Sequence, residues 1–331
     1  MKLFMTGGSG FIGTHTVACF ADWGYEILNY DLEEPLNPAQ LRSWVKGDIL
    51  DPSGLHKALS SFSPEAVIHL AGRAECDEST TVEEGYSANT LGTQNLLLAV
   101  KECPTVRQLI VTSSQFVCGP EYAPQHDEDF NPVTVYGQSK VITEQLTRAA
   151  KLNCTWTITR PTNIWGAWHR RYQREFWRVV EAGFYVHPGG RPVVRCYGYV
   201  KNIVAQMRSI LEAPSGEVDR QVFYLGDEPD DIFKWTDEFS RALRGTRARK
   251  IPRPLLVGAG LLGDLIGVVT GTPFYINSSR VRSMTSDYVV NMEKTFRLLK
   301  APQISLTQGV QETVAWLRSD KANPSGAREA Q

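Results

Sequence analysis

Thr6-Gly7-Gly8-Ser9-Gly10-Phe11-Ile12-Gly13 stands between a short apolar run, Lys2 to Thr6, and a helical stretch from Phe11 to about Trp23. The apolar run reads as a buried strand, so the glycines form a strand–turn–helix junction. Gly7, Gly10 and Gly13 follow a TGxxGxxG spacing. Glycine allows the tight turn, lets backbone approach a pyrophosphate, and lets the helix pack close to the strand. The free N–H groups at the helix start then favour phosphate. In this context the pattern points to dinucleotide binding rather than to a merely structural turn. Tyr25 to Asp31 reads as a second strand. Asp31 ends it, about 20 residues beyond the turn, where a carboxylate takes the adenosine ribose hydroxyls. Glu33 and Glu34 follow, and no Arg or Lys is adjacent to hold a 2′-phosphate. NAD is therefore expected rather than NADP. Asp48 and Ile49, after a third strand over Trp44–Ile49, are candidates for the adenine pocket.

Strands and helices continue to alternate. Ala66–Leu70, Arg107–Ser113 and Thr155–Arg160 read as further strands, and Val82–Glu102 and Tyr136 to about Lys151 as helices. Strands rich in Val, Ile and Leu between helices imply a Rossmann-type α/β fold, a doubly wound parallel sheet covered on both faces. A smaller C-terminal substrate-binding region is expected beside it. The expected organisation is an NAD-binding domain over 1–164, a mainly substrate-binding and discontinuous region over 165–318, and a frayed polar tail over 319–331. The later region is expected to cover the sheet's carboxyl edge. The chain carries 35 Lys and Arg against 36 Asp and Glu, a net charge of −1, which leaves no basic footprint for nucleic acid. Its six cysteines form no CxxC pair, and its histidines show no ligand spacing, so neither disulfide nor metal is expected. The start, Met1–Gly7, is too short in apolar residues for a signal peptide, and a cytoplasmic location is expected. Pro254–Gly271 is apolar but interrupted by Asp264 and five glycines. A buried or surface-packed helix is the expected reading, with peripheral membrane contact the alternative.

Tyr136-Gly137-Gln138-Ser139-Lys140 is a YxxxK pattern. On a helix, positions i and i+4 share a face, which places the Lys140 ammonium near the Tyr136 phenol. That charge is expected to lower the phenol's pKa and make Tyr136 a general base. Thr112-Ser113-Ser114 ends the fifth strand at the edge where open parallel sheets bind ligands. A hydroxyl there can hydrogen-bond a reacting alcohol or carbonyl.

These segments together resemble the extended short-chain dehydrogenase/reductases, specifically the NAD-dependent sugar-nucleotide epimerase/dehydratase family, over about residues 1–318. The glycine turn with Phe11 and Ile12 is similar to that family's dinucleotide turn. His69-Leu70-Ala71-Gly72 is similar to the segment that runs beside the cofactor, and Asn89 to Asn95 to its NxxGTxN helix. Thr112 to Gly119 is similar to SSxxVYG, with Cys118 in place of Tyr. The resemblance implies catalytic roles for Ser114, Tyr136 and Lys140, and cofactor contacts for Leu70, Ala71, Gly72, Asn89, Thr112 and Pro161. Arg160 to Gly166 is similar to RPxNxYG, with Trp165 in place of Tyr. It implies that Asn163 contacts substrate. Arg195 to Asn202 is similar to RDxxYVxD, which implies that Arg195 pairs with a substrate phosphate; Cys196 and Asn202 replace the acids. Ser305 to Leu317 is similar to the family's last helix. A homodimer through the 82–102 and 136–151 helices is likewise implied.

The family's dehydratases carry Asp-Glu directly after the catalytic Ser or Thr. Here Gln115 and Phe116 stand there, and neither exchanges protons in that way. Gln115 is kept as a substrate contact. What remains is chemistry that needs Ser, Tyr, Lys and NAD alone. The expected function is 4-epimerisation of a nucleotide sugar by transient oxidation. A dehydrogenase of another alcohol, steroid-like or isoprenoid, and a non-catalytic NAD-binding regulator are the alternatives. His169-Arg170-Arg171 with Arg174 reads as a solvated face or a phosphate-facing loop. The dense aromatics Trp165, Trp168, Tyr172, Phe176 and Trp177 read as core or as a stacking platform. Arg280 and Arg282 read as loop anchors or as phosphate contacts.

Overall fold

A computed structural model describes residues 1–272, 274–299 and 303–322. It divides into two compact units, Met1–Ile164 with Gly198–Asp227 and Val290–Gln303, and Trp165–Tyr197 with Glu228–Val289 and Ile304–Gln331.

The first unit is built on β1 (Lys2–Thr6), β2 (Glu26–Asp31), β3 (Trp44–Lys46), β4 (Ala66–His69), β5 (Gln108–Thr112) and β6 (Thr155–Pro161), followed by a seventh strand at Gln221–Leu225. All pairings in this sheet are parallel, and the spatial order is seventh–β6–β5–β4–β1–β2–β3. This is the doubly wound Rossmann-type order, which reverses direction beside β1 and brings the strands' carboxyl ends to one edge. Near-continuous burial along β1, β4 and β5 follows from helices on both faces.

The helices begin where capping residues permit. α1 (Phe11–Asp22) starts straight after the glycine turn. α2 (Pro52–Phe62) has Pro52 in its first turn and the Asp51 carboxylate accepting from Ser53 N–H. α5 (Val135–Ala149) is capped by the Thr134 hydroxyl accepting from Gly137 N–H at 3.0 Å. The long helix expected over 82–102 is broken into α3 (Val82–Gly85) and α4 (Ser87–Lys101). Tyr86 makes the break. It is fully buried, its hydroxyl donates to Glu75 O at 2.6 Å, and it accepts from Asp77 N–H at 3.0 Å. Its backbone, at φ −131° and ψ 28°, lies outside the helical region. Leu91, one of the apolar points read on that helix, is 49% exposed.

A buried ion pair ties α5 to β6. The Arg160 guanidinium donates from Nε and Nη2 to the two oxygens of Glu144, both at 2.8 Å. Glu144 Oε1 also accepts from Ser113 Oγ at 2.7 Å, one residue before the catalytic candidate Ser114. Both side chains are essentially without solvent.

In the second unit the helix Ile232–Arg244 is capped by Asp231 and ends at Gly245, whose φ of +73° suits glycine. Phe239 on this helix packs at 5.5 Å from Trp165 and 5.6 Å from Trp177. The last helix runs Leu306–Ala322, so residues 319–322, expected in a frayed tail, are helical. Asp320 is held by Arg170 at 2.8 Å, which fixes that last turn. Residues 323–331 of the expected tail lie outside the described residues. The apolar segment forms the helix Arg253–Thr270, and only Leu256, Gly260 and Gly263 along it are buried.

Candidate active site

The glycine turn is closed on its inside and open on its outside. Gly7 has φ +75°, and a side-chain carbon there would lie 2.4 Å from Ala71 N. At Gly13 it would lie 2.3 Å from Gly7 O, whereas at Gly10 it would meet only Gly7 O, at 3.5 Å. The first and third glycines are therefore demanded by backbone contacts, and the middle one leaves its outer side free. Asp31, at the end of β2, turns back on this loop. Its oxygens accept from Ser9 N–H at 2.9 Å and Glu33 N–H at 3.1 Å, and each retains acceptor capacity for a ribose hydroxyl. Asp48 caps its own turn, accepting from Leu50 N–H, while Ile49 is buried against Gly92, with its carbonyl accepting from Asn95. This cradle fits a dinucleotide. Gly13→Val is expected to weaken NAD binding by roughly tenfold or more, the equivalent of about 1.4 kcal/mol. Calorimetric titration with NAD checks it, and an unchanged affinity would show that the turn does not hold the cofactor.

The ends of β4 and β5 gather the remaining cofactor candidates. Leu70 N–H donates to Thr6 O, and Ala71 packs against Gly7. Gly72 sits so close to Asn89 Oδ1 that an added side-chain carbon would come within 2.6 Å, with Lys140 Nζ at 3.6 Å. Asn89 is buried, with both Nδ2 protons engaged and one donor on Oδ1. It bridges the Arg73 backbone, from Nδ2 to O at 3.0 Å and from N–H to Oδ1 at 2.7 Å, and donates to Ser139 Oγ at 2.8 Å. Pro161 ends β6, and Phe11 and Ile12 begin α1. His69 is buried between Thr6 Oγ1 at 2.7 Å and Thr93 Oγ1 at 3.0 Å, and burial lowers its pKa to about 3. The unfolded ring takes a proton near pH 6.5 and the buried one does not until about pH 3. In that window the unfolded state binds more protons, so stability falls as pH drops from 6.5 towards 3. Urea midpoints across this range are expected to decline in the native chain and more shallowly in His69→Gln.

Ser114, Tyr136 and Lys140 all lie in the first unit, the last two one helical turn apart on α5. Ser114 caps the short turn Gln115–Val117 and is linked by a hydrogen bond to Tyr136. Tyr136 is buried between Tyr86 and Phe116, with ring centres 6.2 Å and 5.9 Å away. Lys140 is buried and donates to Thr112 O at 2.9 Å. Burial lowers its pKa to about 8, against the opposing pull of Glu144, so it stays mostly charged at pH 7. The expectation of a lowered Tyr136 pKa is overturned. Burial pushes the phenol up to about 12, and the Ser114 hydrogen bond opposes this only in part. Helical spacing brought the lysine to the right face, but its proton is directed at the Thr112 carbonyl.

The substrate candidates divide between the units. Gln115 is fully buried in the turn after β5. Asn163 is half-buried, and its Nδ2 is buried without a hydrogen-bond partner among the described residues. Arg195 belongs to the second unit, where its guanidinium donates to the carbonyls of Ser283 and Ser286. It lines a cavity of about 400 Å³ there, together with Tyr172, Tyr185, Tyr197, Trp235 and Arg280. The carbonyls already take much of its fork, so the expected free bidentate grip is reduced.

Residues 3–226 match the family described as NAD dependent epimerase/dehydratase. The chain belongs to that family. Among its relatives, the N-acetyl-alpha-D-glucosaminyl-diphospho-ditrans,octacis-undecaprenol 4-epimerase of Escherichia coli O157:H7 is 26% identical over 323 residues, covering 95% of each chain. The 3-beta-hydroxysteroid dehydrogenase of Mycolicibacterium neoaurum is 27% identical over 269 residues, 76% of this chain and 71% of that one. The UDP-glucose 4-epimerase of Thermotoga maritima, solved with UDP-glucose, shares the fold at a TM-score of 0.74 and 22% identity, covering 97% of this chain and 100% of that one.

Within this epimerase/dehydratase chain, several residues escape sequence reasoning. Glu144 follows Lys140 by one helical turn, which was its only signal. Asp227 is half-buried and bonded to Tyr199 N–H and Asn202 Nδ2, and desolvation raises its pKa to about 6. Asn202, noted only as a departure from the family's acid, is thus a partner of an acid from elsewhere. The aromatic segment is both core and cavity wall: Trp165 and Trp177 are buried, while Phe176 stacks on Trp235 at 4.6 Å and both line the cavity. Arg170 is spent on Asp320; Arg171 bonds Glu175 at 3.1 Å and reaches the cavity. Among the described residues no group of three or more His, Cys, Asp or Glu could hold a metal.

Proposed function

We propose that the chain inverts C4 of a sugar carried on a diphosphate, a nucleotide sugar in the first instance, by transient oxidation. What supports this is the Ser114–Tyr136 hydrogen bond, with Lys140 one helical turn further along α5, beside Gln115 and Phe116, which bring no carboxylate for eliminating water. Gly7, Gly10, Gly13, Asp31, Gly72, Asn89 and Lys140 would hold NAD. When bound, NAD supplies a hydride acceptor at the reacting carbon and a positive charge beside the phenol. Tyr136 takes the proton of the C4 hydroxyl and later returns it to the same oxygen. Ser114 donates a hydrogen bond to that oxygen while it has carbonyl character. Lys140 keeps its charge at neutral pH and steadies the phenolate. Asn163, in the same unit, offers the sugar a side-chain amide.

A second reading, net oxidation of an apolar alcohol, draws on the steroid dehydrogenase relative. Incubation with NAD and a panel of UDP-, GDP-, CDP- and dTDP-sugars, followed by proton NMR and NADH absorbance, separates the two. A new 4-epimer without net NADH supports the first. Stoichiometric NADH, from the panel or from a 3β-hydroxysteroid, supports the second.

A further inference from the structure

The helix Arg253–Thr270 has two unlike faces. Its inner face carries Leu256, Gly260 and Gly263, the buried residues of the element. The chain that follows presses directly on these glycines: a side-chain carbon at Gly260 would lie 2.9 Å from Val281, and one at Gly263 would overlap Ile276 O. Asp264, at the edge of this face, accepts from Ser278 N–H at 3.1 Å.

The outer face carries Leu255, Val257, Leu261, Leu262, Leu265, Val268 and Val269. Val268 and Val269 are 82% and 77% exposed, and the others are about half exposed or more. At about 100° per residue these seven fill an arc of roughly 160° with no charged or hydrogen-bonding side chain among them. A surface helix in water places polar residues on that arc. Patches of this kind mark an interaction surface. Among the described residues this is also the one helix long and apolar enough to cross a membrane by length and composition. Its inner face is bound to the protein along its middle, which leaves lying in a surface, rather than spanning, as the available arrangement.

Charge says what covers it. Arg241, Arg244, Arg247, Arg249, Lys250 and Arg253 precede or open the helix, and no Asp or Glu stands between Ser240 and Gly263. Arg280 and Arg282 follow, with Asp264 as the one acid before Asp287. Asp237 takes up Arg241 and Arg247. The whole chain has a net charge of −1, so the sequence flanking the apolar helix concentrates cations, with Arg249 and Lys250 exposed. A second copy would bring the same sign of charge; an anionic bilayer surface answers it.

We propose that the helix Arg253–Thr270 lies in the interface of an anionic lipid bilayer, its outer face among the acyl chains and the neighbouring cations on the headgroup phosphates. The inference does not depend on the reaction. Leu256 of the same helix lines the aromatic cavity, so docking sets that cavity close to the bilayer surface.

Flotation of the full chain with vesicles of phosphatidylcholine alone, or with about a third phosphatidylglycerol, tests it. Binding to the anionic vesicles is expected to exceed binding to neutral ones by at least tenfold and to weaken with salt. Leu261→Glu with Leu265→Glu is expected to abolish it, and Arg249→Glu with Lys250→Glu to lower it, while NAD still raises the melting temperature of both variants. Absence of vesicle binding by the native chain overturns the proposal, and so does binding that both double variants retain. A lipid-free dimer broken by Leu261→Glu with Leu265→Glu, without vesicle binding, would assign the face to a second copy.

Discussion

Tyr136→Phe is expected to lower turnover by roughly 10²–10⁴-fold, the usual contribution of a positioned general acid–base group. The change removes one oxygen and leaves the ring between Tyr86 and Phe116 in place, so folding should hold. The cofactor cradle at the glycine turn is made by other residues, and NAD affinity should stay within a factor of a few. The high pKa of the phenol sharpens the expectation. A group near 12 gives up its proton at neutral pH only with added positive charge nearby, so activity should rise with pH through the neutral range in the native chain. Steady-state rates of the native chain and the variant, with NAD titrations alongside, check both parts. Full activity in Tyr136→Phe would remove Tyr136 from the reaction.

Glu144→Ala is expected to cost about 3–5 kcal/mol of stability, because removing one partner of a buried pair strands the other's charge. Arg160 would keep only neutral partners, among them the Tyr224 hydroxyl at 3.2 Å, for a guanidinium about 1% exposed. Ser113 would lose the acceptor of its hydroxyl, loosening the strand end that presents Ser114. Replacing both charges, Glu144→Leu with Arg160→Met, should recover part of the loss, since the stranded charge is what destabilises. Urea unfolding of the three variants measures it. A single variant as stable as the native chain would show that water or a shift of Arg160 compensates.

The sheet and the cofactor cradle were legible because their signals are local. A strand, three glycines and a helix occupy adjacent positions, and Asp31 lies at a fixed distance along the chain. The break at Tyr86 was not legible: the apolar points along 82–102 read as one helix, and the partners of the Tyr86 hydroxyl lie at 75 and 77, across a loop. Nor was the state of Tyr136. Spacing along α5 placed Lys140 on its face, but the competing Thr112 carbonyl comes from β5, and burial comes from the whole unit. The cavity draws Tyr172, Tyr185, Trp235 and Arg280 from separate stretches of chain; Tyr172 and Arg280 stood out in the sequence, but nothing local joined them to Tyr185 or Trp235. The apolar helix was found by composition. Which of its faces met protein was decided by glycines that pack against a segment further along the chain.

The proposed return of hydride to the carbon it left is tested most directly with UDP-glucose, or whichever panel sugar is turned over, labelled with deuterium at C4. Proton NMR and mass spectrometry of the product then locate the label. Transient oxidation at C4 predicts a 4-epimer that retains deuterium at C4, with none in the solvent and no accumulating reduced cofactor. Deuterium lost to water, or stoichiometric deuterated NADH, would contradict it.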